Sequence, residues 1–268
     1  MKKILSFIFC FCLSSLVYGG TLVNDTLVYK RVGKKELHLF VTSPIKHGKD
    51  LPCLLFFYGG GWNTKNINQF EPYCEYFAKR NYVCIRAEYR VHDVDGSTPF
   101  QSLSDARSAV RYIRKHADEL GIDTSKIAAG GGSAGGHLST ACATVKKYDD
   151  NSDDLSISCV PNALLLYNPV IDNGPSGYGF ERIGAEYKDF SPLHNIYKGM
   201  PPAIFFLGTQ DKLIPVETAK YFKKSMEILG NRCDLYLYEG EGHGFFNTYA
   251  YRVLMINLTE KFLKSLNW

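Results

Sequence analysis

The chain has 268 residues, 45% hydrophobic and 22% charged, a balance that excludes a disordered or fibrous polypeptide and fits one catalytic-size domain able to bury a core without metals or disulfides. Its formal net charge of +4 falls to +2 if Lys2 and Lys3 are removed, and no basic run remains, so neither nucleic acid nor a membrane surface is expected as a partner.

Lys2 and Lys3 precede an apolar stretch from Ile4 to Val17, and Val17 and Gly19 supply the small residues a signal peptidase reads. The run is too short to span a bilayer, and no stop-transfer pattern follows. We expect residues 1–19 to be a secretory signal and residues 20–268 the mature catalytic domain, secreted or periplasmic, with no membrane contact after cleavage. Export permits disulfides, yet Cys53, Cys74, Cys84, Cys142, Cys159 and Cys233 form no CxxC pair, and several lie in apolar runs where cysteine serves as a small hydrophobe.

Leu37, Leu39 and Val41 alternate as one face of a half-buried strand does. Pro52 to Tyr58 is a continuous apolar run that ends in Gly59, Gly60 and Gly61, the pattern expected of a strand buried on both faces that feeds a tight loop. No helix separates these first two strands, which predicts an antiparallel edge. Tyr82 to Ala87 is a further strand. Leu103, Ala106, Val110, Ile113, Ala117 and Leu120, three or four apart, predict a helix that Gly121 stops.

After a strand at Lys126 to Ala129 comes Gly131-Gly132-Ser133-Ala134-Gly135-Gly136-His137. A GxSxG sequence between strand and helix places serine on a sharp turn with its hydroxyl exposed, and glycines flank it because side chains there collide with neighbouring backbone. Serine is not ionised at neutral pH, so it needs a base, and the base needs an orienting acid. His137, one turn into the helix, is expected to pack rather than react. Asp149 to Asp154 resembles a calcium loop only superficially: Asp154 stands where that loop needs glycine and Val160 where it needs glutamate, so a solvated acidic turn is expected.

The strand Ala163 to Tyr167 leads to a Gly-, Pro- and Tyr-rich segment, residues 172–200, long enough to shape a binding site. Asp211 follows the strand Ala203 to Leu207, and His243 follows the strand Asp234 to Tyr238 inside Gly240-Glu241-Gly242-His243-Gly244. Chain order Ser133, Asp211, His243, each just past the carboxyl end of a strand, is the order expected of a Ser-acid-His hydrolase. Asp172 is the alternative acid, Asp211 could instead cap the helix Val216 to Leu229, and His243 could be an ordinary loop histidine. A last helix is expected from about Tyr249 to Leu266. The remaining histidines show no metal-ligand spacing, and no metal or cofactor is expected.

Tyr58-Gly59-Gly60-Gly61-Trp62, Gly132 to Leu138, the helix carrying Asp105-Ala106 and Tyr112-Ile113, Gly208 to Pro215, and Glu239 to Phe245 together resemble the esterases and lipases related to hormone-sensitive lipase. They look most like its compact secreted acetyl-xylan and feruloyl esterase-like bacterial members. The resemblance covers about residues 35 to 265. It implies an α/β-hydrolase fold, a mostly parallel eight-stranded sheet with helices on both faces, and an oxyanion hole from the amides of Gly60, Gly61 and Ala134. The family usually begins its glycine loop with histidine; Tyr58 stands there. The helical N-terminal cap of hormone-sensitive-lipase relatives has no counterpart, which predicts an open cleft, a short acyl group and a bulky alcohol such as an acetylated polysaccharide or oligosaccharide. Trp62, Tyr178, Phe180, Tyr187 and Phe190 are candidates for a sugar-binding lip, though aromatics as often simply pack. Feruloyl esters, small amides or formamides, peptides, or an inactive carbohydrate-binding module remain alternatives.

Overall fold

The computed structural model describes residues 22–45 and 48–268; the expected signal segment lies outside them. Eight strands form one sheet in the order β1-β2-β4-β3-β5-β6-β7-β8: β1 (Leu22–Val32), β2 (Lys35–Pro44), β3 (Leu51–Phe57), β4 (Val83–Ala87), β5 (Ile122–Gly132), β6 (Ala163–Tyr167), β7 (Ala203–Gly208) and β8 (Cys233–Tyr238). The β1/β2 and β2/β4 pairings are antiparallel, and the remainder are parallel.

The antiparallel edge differs from the expected one. β2 and β3 do not pair; β4 lies between them, and the outer partner of β2 is β1, a strand the sequence reading did not delimit. Most residues at the start of β1 are exposed, and an edge strand with so little buried surface shows little hydrophobic alternation.

Both faces of the central strands are covered, with alternate residues feeding opposite layers. Leu55 and Phe57 of β3, Leu164 and Leu166 of β6, and Phe205 of β7 share one core with Leu103, Ala106, Leu138 and Phe222. Leu54, Phe56, Leu165, Tyr167 and Phe206 share the other with Phe70, Phe77, Met255 and Phe262. The first core is closed by helices α2 (Pro99–Lys115), α3 (Ala134–Thr144) and α4 (Val216–Ile228), the second by α1 (Glu71–Ala78) and α5 (Tyr249–Lys264). Burying both faces is what makes these strands continuous apolar runs in the sequence.

Helix α2 begins at a reciprocal cap in which Thr98 accepts from the Gln101 amide and Gln101 accepts from the Thr98 amide, with Pro99 in the first turn. It ends earlier than its apolar spacing predicted. His116 leaves helical geometry, its ring stacked on Tyr112, and Ala117–Leu120 forms a separate turn closed by Gly121 at φ 67°. The acidic turn is also corrected: it is not simply solvated. Asp149 bonds Arg107 and Arg111, Asp153 bonds Arg111, and Asp150 bonds the buried Lys30. The six cysteines are buried free thiols. Among the described residues no helix is long and apolar enough to cross a membrane.

Candidate active site

Ser133 sits between β5 and α3 at φ 51°, a left-handed conformation rare for a residue with a side chain. The turn is held by hydrogen bonds on both sides: the Ser133 amide donates to the Tyr167 carbonyl at 3.0 Å, and the Ser133 carbonyl accepts from His137 and Val170. Gly135 is the residue this turn cannot replace. A Cβ there would lie 2.1 Å from the Phe57 carbonyl oxygen and 2.5 Å from that of Tyr58, both backbone atoms of the neighbouring strand end. Gly135→Ala is therefore expected to cost about 3 kcal/mol or more in a urea-unfolding comparison, because backbone rather than a movable side chain must yield. A loss within experimental error would mean the turn is far softer than its packing implies.

Three chain segments meet at the serine. His243 Nε2 lies 2.9 Å from Ser133 Oγ, and His243 Nδ1 lies 2.7 Å from Asp211 Oδ2. With the carboxylate facing Nδ1, that nitrogen carries the proton and Nε2 is left to accept from the hydroxyl. The Asp211 side chain is fully buried, and its other oxygen accepts from the amides of Leu213 and Ile214 at 2.8 and 3.0 Å. It thus organises its own loop while holding the imidazole. Asp172, the alternative acid, bonds the Gly174 amide and lies 3.8 Å from His194, with no bond to His243. His137 is fully buried, and burial pushes its pKa down to about 3; its Nε2 faces the Phe190 carbonyl at 3.3 Å, so it packs as a neutral ring.

Across from the serine, Gly60, Gly61 and Trp62 follow one another at φ 130°, 62° and 60°. Among the described residues neither the Gly60 nor the Gly61 amide donates to an acceptor. Ala134 is the first residue of α3, so its amide has no partner inside the helix. Tyr58 replaces the usual histidine by a different construction. Its hydroxyl donates to the Tyr89 carbonyl at 2.9 Å, the Tyr89 hydroxyl donates to the Tyr58 carbonyl at 2.7 Å, and the two rings stack at 4.2 Å.

The hydroxyl opens into a cleft of about 330 Å³ whose walls include Thr64, Tyr178, Leu213, Phe246 and Asn247. A second groove of about 500 Å³ adjoins it through Tyr178 and Leu213 and carries Asn63, Ser176, Arg182 and Lys212. A larger hollow of about 640 Å³ beside β8 is lined by Lys223, Glu227 and Arg232 and contains none of these groups.

The expected aromatic lip needs correction. Trp62 is fully buried, its ring against His137, Tyr178 and Phe190. Phe190 is fully buried too, and Phe180 packs on Tyr187 without lining the cleft. Of the five aromatics only Tyr178 borders the cleft, its hydroxyl 2.6 Å from where a Gly61 Cβ would be.

Three residues went unnoticed in the sequence. Gln69 accepts from the Gly59 amide at 2.7 Å and donates to Asn247 at 3.2 Å, tying the two cleft walls together. Asn168, buried at φ 38°, accepts from the Gly244 amide at 3.0 Å and steadies the histidine loop. Its place one residue past β6 was the available signal. Arg182 donates to the Gly61 carbonyl, and no local pattern announces it. Among the described residues no cluster of His, Cys, Asp and Glu could hold a metal ion.

Comparison with known proteins gives two family matches: BD-FAE over residues 39–172 and the dienelactone hydrolase family over residues 176–261. A solved structure of esterase 2 from Thermogutta terrifontis, phosphoramylated by tabun, superposes with a TM-score of 0.87 at 39% identity, covering 91% of this chain and 94% of that one. The same esterase has been solved with propionate and with butyrate bound. Among curated proteins, the Mycobacterium tuberculosis esterase LipC is 28% identical over 74% of this chain and 54% of its own length. The acetylxylan esterase of Xylanibacter ruminicola is 26% identical over 78% of this chain and 44% of its own. The chain thus spans about half the length of the curated relatives it matches.

Proposed function

Because the chain belongs to the BD-FAE family and has the α/β-hydrolase fold of bacterial esterases, we propose that it is a serine carboxylic-ester hydrolase that removes short acyl groups, acetyl foremost, from a carbohydrate or similar bulky alcohol. The observation that carries the reading is the continuous chain of contacts from Asp211 through His243 to Ser133. Ser133 attacks the ester carbonyl while His243 takes its proton, and Asp211 stabilises the imidazolium that forms. The tetrahedral oxyanion rests against the amides of Gly60, Gly61 and Ala134. Collapse of the intermediate expels the alcohol with the proton from His243. Water, deprotonated by the same imidazole, then releases the acid and restores Ser133.

Two features favour a short acyl group and a large alcohol. The cleft at Ser133 is small, whereas the adjoining groove is roomier and lined by polar groups suited to hydroxyl-rich alcohols. A neighbour that has been solved with propionate and butyrate points the same way. The acetylxylan esterase relative supports a glycan ester. The apolar run behind Lys2 and Lys3 supports action outside the cytoplasm, in the periplasm or beyond the cell.

The test compares 4-nitrophenyl acetate with the octanoate, alongside acetate release from acetylated polysaccharides. We expect kcat/KM to favour acetate by about tenfold or more, the scale of several methylenes that find no pocket. Preference for octanoate would overturn the short-acyl reading. A fluorophosphonate probe separates catalysis from mere binding: wild-type protein should be labelled at Ser133, and an inactive glycan-binding module would not be.

A further inference from the structure

The glycine loop departs from ordinary backbone at three successive positions. Gly60 and Gly61 accommodate positive φ readily, but Trp62 at φ 60° is a bulky residue in a conformation that side chains disfavour. Such a loop persists only where its surroundings over-determine it. Some of that support is local, since the Gly60 carbonyl accepts from the Asn63 and Thr64 amides at 3.0 and 3.1 Å and the Trp62 carbonyl accepts from His92 at 2.9 Å. The rest comes from a distant segment. Arg182 Nη1 donates to the Gly61 carbonyl at 2.6 Å and to Asn63 Oδ1 at 2.7 Å. Its guanidinium also lies 5.2 Å from the Trp62 ring centre and 5.8 Å from that of Tyr178.

We propose that Arg182 is a positioning residue for the oxyanion hole, holding the Gly60-Gly61-Trp62 backbone in the conformation that presents its amides to the reacting carbonyl. The inference rests on the esterase reading and adds to it that the segment between β6 and β7 takes part in the reaction through this contact. A guanidinium suits the task because one rigid group bonds a carbonyl and a side-chain amide while lying against two aromatic rings, which a lysine ammonium cannot do equally well. Arg182 touches neither acyl group nor serine. It does line the adjoining groove, so the test uses a small activated ester that makes little use of that groove, on which the loss of Arg182 should act mainly on the transition state.

The experiment begins with wild-type protein, whose labelling by a fluorophosphonate and inactivation by Ser133→Ala establish the esterase reading independently. Arg182→Ala is then expected to lower kcat on 4-nitrophenyl acetate roughly tenfold to a hundredfold with KM within about threefold, as a displaced oxyanion loop should. Affinity for a trifluoromethyl ketone, which forms a tetrahedral adduct, should fall in proportion to kcat/KM. Added methylguanidine should restore part of the lost kcat, and Arg182→Lys should retain an intermediate rate. A variant that melts earlier yet keeps wild-type kcat, or one that changes KM alone, overturns the proposal. If Arg182→Ala does not fold, Arg182→Lys carries the same test: wild-type kcat and undiminished ketone affinity overturn the proposal, while a parallel fall in both supports it.

Discussion

Ser133→Ala should reduce kcat/KM on a short-chain ester by about a hundred-thousandfold or more, because among the described residues His243 Nε2 faces the Ser133 hydroxyl and, besides it, only the non-nucleophilic Asn168 amide. His243→Ala should produce a loss of similar size, and the double variant almost none beyond it, since hydroxyl and imidazole act in one step. Asp211→Asn is expected to cost about ten-thousandfold, for an amide NH₂ facing Nδ1 favours the tautomer that removes the acceptor from Nε2. Asp211 also caps its own loop through Leu213 and Ile214, so folding must be compared alongside activity. The measurement is steady-state hydrolysis of 4-nitrophenyl acetate with fluorophosphonate labelling followed in parallel. Retention of more than about 1% of wild-type kcat/KM in a homogeneous Ser133→Ala preparation would sink the nucleophile assignment.

The parts of this site that were legible in the sequence are those dictated by backbone geometry. A serine that must occupy a left-handed turn needs glycine beside it, and the contact at Gly135 shows why: the backbone of β3 occupies the space of any side chain. The parallel strands were legible for a related reason, since burial of both faces writes itself as unbroken apolar runs. What stayed hidden depends on contacts between distant segments or on weak burial. The first half of β1 is an exposed edge and carries little pattern. Arg182 reaches Gly61 from a segment far along the chain, and nothing local distinguishes it from a surface arginine. Trp62 misled in the opposite direction. An aromatic next to a glycine loop looks available to a ligand, whereas this ring is fully buried against His137. The acidic turn misled because composition reveals charge without revealing the buried cations that answer it.

That turn belongs to the network behind the second large effect, one of stability. Asp105 has no exposed surface, and its carboxylate accepts from Lys30 at 2.8 Å, from Arg90 Nε and Nη2 at 2.7 and 2.8 Å, and from the Arg90 amide at 3.0 Å. Lys30 is itself buried and otherwise meets Asp150 at 2.7 Å with the hydroxyls of Ser104 and Ser108. Removing the shared carboxylate leaves Arg90 without its carboxylate partner and the buried Lys30 with Asp150 alone. Asp105→Ala is therefore expected to destabilise by about 3 to 5 kcal/mol, against a total of about 5 to 15 kcal/mol for an ordinary domain. The exposed Lys223–Glu227 pair on α4 is the control, and Glu227→Ala should cost no more than about 0.5 kcal/mol. Urea midpoints at neutral pH distinguish them, and equal losses would refute the claim that burial sets the difference. Acid provides a second arm. Burial alone would raise the Asp150 pKa, but hydrogen bonds from Lys30 and Ser152 outweigh it and hold the folded value well below the ordinary one. A depressed folded value means that this contribution is complete above about pH 4, the unfolded range, and disappears as pH falls through the lower folded value. Lys30→Met should consequently flatten the decline of stability below about pH 4 while lowering the neutral plateau, and an unchanged acid slope would separate Asp150 from the network.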